Sequence, residues 1–136
     1  MAQGQAARQD AEASARPRAA PAFDAREFDE LCEMIGLDGV LEMATIFETE
    51  TRQRLRRLNE GNQTFTTLVR EMHTLKGAAG TVGAPRLNAL GAMFERAAQE
   101  NIAPPREALD AIADALEAWL EEVRLWRQCN PRESGA

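Results

Sequence analysis

The stretch MHTLKGAAGTVG, residues 72–83, combines a helical apolar repeat with three glycines and the only histidine of the chain. At about 100° per residue, the apolar positions between residues 65 and 82 gather on one side of a helix. These positions are Phe65, Leu68, Met72, Leu75, Ala79 and Val82. His73 lies roughly 140° from the centre of that side, so the repeat predicts a buried helix face and an imidazole that points to solvent.

The same stretch surrounds His73 with small residues and positive charge. Gly77 and Gly80 fall within about 40° of its azimuth, although a glycine inside a helix costs roughly 0.5–1 kcal/mol relative to alanine. Lys76 lies about 60° to one side and Arg70 about 60° to the other. An uncovered imidazole beside cations can hold a phosphoryl group, with Lys76 neutralising its oxygens. The plain alternative is a solvated histidine next to a solvated lysine.

Helical periodicity also covers most of the remaining chain, and strand signals are weak. We predict an all-α fold with helices over residues 25–35, 39–59, 85–100 and 105–128, and a His73 helix that ends near residue 82. Asp24 is predicted to cap the first helix, Gly36 to stop it, and Asn62 or Thr64 to cap the His73 helix. Five helices with short connections imply an antiparallel bundle.

The two ends of the chain differ from this helical region. Residues 1–22 are alanine-rich and polar, contain two prolines and lack an apolar repeat, so they are predicted to be a disordered arm. The bundle is predicted over residues 23–130, and residues 131–136 are predicted to be a flexible tail. No stretch approaches the roughly 20 apolar residues that span a bilayer, and no signal-peptide core is visible, so a cytoplasmic location is expected.

The charge distribution bears on the kind of partner. The net charge is −6, and because residues 1–22 carry +1, the rest of the chain carries −7. This argues against nucleic acid as a partner. Residues 62–86 nevertheless hold Arg70, Lys76 and Arg86 against Glu71 alone. The local positive patch suits an acidic partner surface near His73.

The residues now show a family resemblance. The run His-Thr-Leu-Lys-Gly from His73 to Gly77, with glycine at position 83, resembles the signature of histidine-containing phosphotransfer (HPt) domains. Leu87, Leu90 and Glu95 extend the match, and the helical resemblance covers residues 24–128. It implies a four-helix bundle with one additional short N-terminal helix, and a histidine that exchanges phosphoryl groups with aspartates of receiver domains. The first domain of chemotaxis-type histidine kinases is similar.

Glu95 is a further candidate site residue. It lies beside the apolar stripe of its helix, four residues after Gly91, whose missing side chain would let the two helices approach closely. A carboxylate there could hydrogen-bond one imidazole nitrogen and leave the other as nucleophile. HPt domains often carry Glu or Gln at the matching position, and a solvated glutamate is the alternative. A phosphate role for Arg70 has a surface charge as its alternative.

The inventory of motifs limits the chemistry. One histidine with two remote cysteines cannot build a zinc site, and no nucleotide-binding loop is present. We therefore expect a phosphoryl carrier without autonomous kinase activity and without a cofactor of its own, any magnesium belonging to the partner. The expected partners are response-regulator receiver domains and a hybrid histidine kinase, with no nucleic acid and no membrane, and the protein is expected to be a monomer. The alternative function is a non-catalytic helical adaptor that binds a signalling partner through the His73 face.

Overall fold

The fold of the chain is all-helical over residues 20–130, the part that the computed structural model describes. The four helices are α1, Ala25–Glu60, α2, Phe65–Thr81, α3, Pro85–Gln99, and α4, Arg106–Gln128. This part contains no strand, so the all-α prediction is confirmed. Most of the predicted arm and the whole predicted tail lie outside the described residues.

The helix ends follow local signals in the sequence. The Asp24 carboxylate accepts a hydrogen bond from the Glu27 amide at 3.1 Å, which caps α1. Of the two cap candidates for α2, Thr64 is the cap, and its hydroxyl accepts from the Thr67 amide. Pro85 is the first residue of α3, where its missing N–H leaves no bond unmade. Short-range signals of this kind therefore mark where these three helices begin.

Helix α1 contains both predicted N-terminal segments, residues 25–35 and 39–59. They are joined by a kink rather than by a loop, because only Gly36 leaves the helical conformation, with φ 81° and ψ 166°. Glycine tolerates this backbone conformation, which other residues rarely adopt. The helix then resumes directly at Leu37.

The core draws its side chains from all four helices. The largest fully buried apolar residues are Trp119, Phe28, Met72, Leu75, Leu87, Ile112, Leu116 and Val40. Trp119 meets Phe28 and Phe47 edge to face, and its indole N–H donates to the Val82 carbonyl at 3.3 Å. On α2 the predicted apolar side is buried except at Phe65, the first residue of the helix, which is partly exposed. The face of α2 that carries His73 is thereby directed away from the core.

Helices α2 and α3 approach each other closely at Gly91. A Cβ atom on this glycine would lie 2.9 Å from the backbone nitrogen of Lys76 and 3.1 Å from its Cα. Real Cβ atoms do not come that close to backbone, so only glycine fits at this position. The close contact that the sequence suggested for Gly91 is confirmed, and it brings α3 beside the site.

The chain before α1 closes over the turn between α2 and α3. The Asp24 amide donates to the Gly83 carbonyl at 2.9 Å, and Gly83 has φ 69°. Arg86 donates from its amide to the Pro21 carbonyl and from Nε to the Ala20 carbonyl. These two acceptors belong to the last residues of the predicted arm, so hydrogen bonds tie this short piece to the start of α3.

Candidate functional site

The histidine lies on the solvent side of α2. Its side chain is 68% exposed, while its neighbours Met72 and Leu75 are buried in the core. The outward direction that helical geometry predicted for His73 is confirmed. An imidazole so exposed is open to a large partner molecule.

One carboxylate on α3 joins His73 to Lys76. Glu95 Oε2 lies 2.7 Å from His73 Nδ1, and Lys76 Nζ donates to Glu95 Oε1 at 2.6 Å. The Glu95 side chain is only 12% exposed, and the Lys76 side chain is 33% exposed. The three residues therefore form a continuous chain of contacts in which Glu95 occupies the shielded centre.

The charge state of Glu95 decides which imidazole nitrogen carries a proton. The hydrogen bond from Lys76 lowers the pKa of the Glu95 carboxyl, and the contact with His73 acts in the same direction against the effect of burial. Glu95 is therefore ionised at neutral pH, and an ionised carboxylate can only accept hydrogen bonds. Nδ1 must then donate. In a neutral ring this leaves the lone pair on Nε2, the nitrogen that can attack phosphorus.

Comparison with known proteins identifies the family. The family model for the Hpt domain matches residues 42–126, more than half of the chain and all of the site just described. The chain belongs to the Hpt family. Hpt domains act in phosphorelay signalling by histidine phosphotransfer and interact there with receiver domains and kinases. No curated protein and no solved structure matches the chain significantly.

Gly77 and Gly80, which the sequence predicted to leave the surface around His73 uncovered, lie in different surroundings. A Cβ on Gly77 would meet nothing within 4 Å, so this position opens directly to solvent. A Cβ on Gly80 would lie 3.3 Å from the side-chain nitrogen of Asn88 on α3. Gly77 is thus the clearer candidate for a docking surface, and Gly80 also makes room for a side chain of the same molecule.

Arg70 lies apart from the histidine network. Its side chain is exposed, and within residues 20–130 no hydrogen bond or ion pair links it to His73, Lys76 or Glu95. The adjacent Glu71 pairs instead with Arg57 of α1, through an N–O distance of 2.8 Å. The structure therefore brings Glu95 to the histidine, whereas Arg70 is an exposed cation outside this network.

Asn88 is a residue of the site region that the sequence did not reveal. Its side-chain nitrogen donates to the Lys76 carbonyl at 2.8 Å. The available signal was its spacing, three residues before Gly91 and seven before Glu95, which places all three on one side of α3.

Among the described residues, no three His, Cys, Asp or Glu side chains are grouped to hold a metal ion. In the same part of the chain, no helix has the length and apolarity to cross a membrane.

Proposed function

We propose that His73 is the phosphoacceptor of this Hpt protein. It receives a phosphoryl group from a receiver aspartate or a kinase and passes it to the aspartate of another receiver. The observation that supports this most strongly is the contact between His73 Nδ1 and the ionised Glu95, which leaves Nε2 as the nucleophile. A carrier of this kind has no autonomous kinase activity and needs no cofactor of its own.

The transfer step follows from this arrangement. Nε2 attacks phosphorus in line, the N–P bond forms, and the O–P bond to the donor aspartate breaks so that its carboxylate leaves. Phosphoryl transfer passes through a loose transition state with charge on the equatorial oxygens, so positioning and charge neutralisation matter most. Glu95 holds the Nδ1 proton and the ring orientation. Lys76, one turn from His73, supplies the positive charge, and magnesium would come with the receiver.

Charge supports receiver domains as the partners. Lys76 and Arg70 place two cations on α2 close in sequence to His73, in a protein with a net charge of −6. The acidic pocket expected of a receiver domain complements such a patch, and Gly77 leaves the surface beside it open. A hybrid histidine kinase is the proposed source of phosphoryl groups. Neither nucleic acid nor membrane is a proposed partner.

Several finer features belong to the same proposal. We infer that the helices run antiparallel in a four-helix bundle, that residues 25–35 before the kink serve as the added short helix, and that residues 23–130 form the functional domain. The short connections between consecutive helices support the antiparallel order. We further propose a monomer that works in the cytoplasm, where its kinase and receiver partners would act.

Phosphotransfer from a labelled receiver tests the proposal. The chain should acquire an acid-labile, base-stable phosphate when incubated with a phosphorylated receiver, and His73→Gln should acquire none. The unfolding midpoint of His73→Gln is the control for folding. It should be almost unchanged, because the His73 side chain is exposed. Label retained in the variant would disprove the assignment. Receiver binding without any transfer in either protein would instead favour the adaptor.

A further inference from the structure

Three residues on one side of α3 contact Lys76 at three different points. Asn88 donates its side-chain N–H to the Lys76 carbonyl at 2.8 Å. Gly91 lies against the Lys76 backbone nitrogen and Cα, so closely that a side chain would not fit. Glu95 accepts a hydrogen bond from the Lys76 ammonium at 2.6 Å. Helix α3 thus holds both the main chain and the side-chain end of the same residue.

We propose that Asn88 is a positioning residue for phosphotransfer, which fixes α3 against α2 so that Glu95 reaches Lys76 and His73 at once. This inference rests on the proposed function of His73. Asn88 acts through Lys76 and Glu95 and does not itself touch the reacting atoms. Its hydrogen bond to a main-chain carbonyl is insensitive to the rotamer of Lys76, so it can set the position of the helix rather than that of one side chain.

The spacing along α3 explains why a second attachment point matters. Asn88 and Glu95 are seven residues apart, which is about 10 Å along a helix. With a single hydrogen bond to Lys76, α3 could still rotate or slide on α2 about that point. The two hydrogen bonds made by Asn88 and Glu95 oppose both motions. The Glu95 carboxylate uses one oxygen for each partner, at 2.6 and 2.7 Å. A shift of about 1 Å would take at least one of these pairs out of hydrogen-bonding range.

Gly80 supports the same interpretation. Because a Cβ at this position would lie 3.3 Å from the Asn88 nitrogen, an alanine would press on the amide group that bonds Lys76. The glycine therefore leaves space for Asn88, at a helix position where alanine would otherwise be favoured by roughly 0.5–1 kcal/mol. The competing interpretation is that the Asn88 hydrogen bond stabilises the pair of helices without affecting the site. The experiment must distinguish the two interpretations.

The reactivity of Lys76 gives a test that does not depend on phosphotransfer. Lys76 is the only lysine of the chain, so an amine-acylating reagent modifies it and the amino terminus alone, and peptide mass spectrometry separates the two. Asn88→Ala should raise the rate of Lys76 acylation by about threefold or more, because the loss of one hydrogen bond loosens the pairing with Glu95. Asn88→Leu, similar in size, uncharged and unable to donate, should raise it at least as much.

The matched control is Asn130→Ala. Asn130 also donates its side-chain nitrogen to a main-chain carbonyl at 2.8 Å, that of Trp126, and is also half-buried. This variant should leave Lys76 acylation unchanged. Should the Asn88 variants fold poorly, Gly80→Ala provides a second route, since it crowds the Asn88 amide while favouring the helix. Unchanged acylation in folded Asn88→Ala, or in Gly80→Ala where Asn88 variants fail to fold, would overturn the proposal.

Transfer kinetics then connect Asn88 to the reaction. Asn88→Ala should slow phosphotransfer about threefold to tenfold, and the same change in a Glu95→Ala background should have little further effect. An equal slowing in both backgrounds would mean that Asn88 does not act through Glu95, which would overturn the proposal. If no variant and no native protein carries phosphate, the proposed function fails, while the acylation rates still decide whether Asn88 positions Lys76.

Discussion

At the scale of single residues, Glu95 has the central part in the site. Its oxygen Oε2 contacts His73 Nδ1 and so sets the imidazole tautomer, and its oxygen Oε1 accepts a hydrogen bond from the positively charged Lys76. A glutamine at this position would keep the size of the side chain and could still accept from His73 through its oxygen. It would offer Lys76 only an amide group and no charge, so Glu95→Gln separates the charge of Glu95 from its shape.

The pH dependence of stability should reveal that charge. The folded-state pKa of Glu95 is lowered, so its contribution is complete above the unfolded-state pKa of about 4.3 and is lost as the pH falls through the folded-state value. Native protein should therefore be more stable than Glu95→Gln at pH 7, and the difference should shrink steadily below about pH 4.3. Urea unfolding at several pH values measures it. A difference that stays constant with pH would contradict the Lys76–Glu95 pairing.

Sequence reasoning reached His73 more securely than its partners. The direction of the His73 side chain depends only on its place within one helix, which the apolar repeat of α2 defines. The pairing of Lys76 with Glu95 and the bond from Asn88 depend on the axial offset between two helices. No local pattern encodes that offset. Glu95 was a candidate because of its place beside the apolar stripe, four residues after Gly91, and because of the family resemblance, whereas Asn88 was not singled out.

At the scale of helices, two glycines of the same helix pair should respond in opposite ways to the same substitution. Gly91→Ala places a Cβ against the Lys76 backbone and should cost about 1–3 kcal/mol through overpacking. Gly77→Ala meets nothing within 4 Å and should stabilise the protein by roughly 0.5–1 kcal/mol through helix propensity. Chemical denaturation of both variants measures the free energies of unfolding. A stable Gly91→Ala would mean that α3 can move away from α2 at little cost.

The helix boundaries show what local signals can and cannot determine. Caps at Asp24 and Thr64, and Pro85 at the start of α3, were visible in the sequence because each involves residues within one turn. At Gly36 the sequence correctly indicated a departure from helix but not its extent. The same local sequence pattern indicates a one-residue break in a helix and a three-residue loop between two helices. The packing of Phe28 and Leu37 into one core favours the one-residue break.

At the scale of the whole molecule, the start of α1 is joined to the end of α4. The Trp126 indole N–H donates to an Asp29 carboxylate oxygen at 2.7 Å, and the Trp126 ring meets Phe28 edge to face. Two segments nearly a hundred residues apart in sequence are thereby held together. This contact lies outside the histidine network, so it allows stability to be changed separately from phosphotransfer.

Removal of the Asp29 acceptor should lower stability without slowing the reaction of the folded protein. Asp29→Ala should cost about 1 kcal/mol, since it leaves a half-buried indole N–H without its partner. Asp29→Asn retains an acceptor oxygen and should cost less. Thermal unfolding gives the ranking, and transfer rates measured well below the transition should match those of the native protein. A clear loss of rate in Asp29→Ala would show that the bundle ends influence the site.

The close approach at Gly91 also has a consequence for the order of folding. His73, Lys76, Asn88 and Glu95 lie within one helical hairpin, residues 65–99, so the contacts of the site span at most 22 residues of chain. Contacts between residues close in sequence require little loop closure and tend to form early, whereas the pairing of Asp29 with Trp126 must close a far longer loop. We therefore expect the contacts among these four residues to form before α1 pairs with α4, and to persist during brief openings that detach α4.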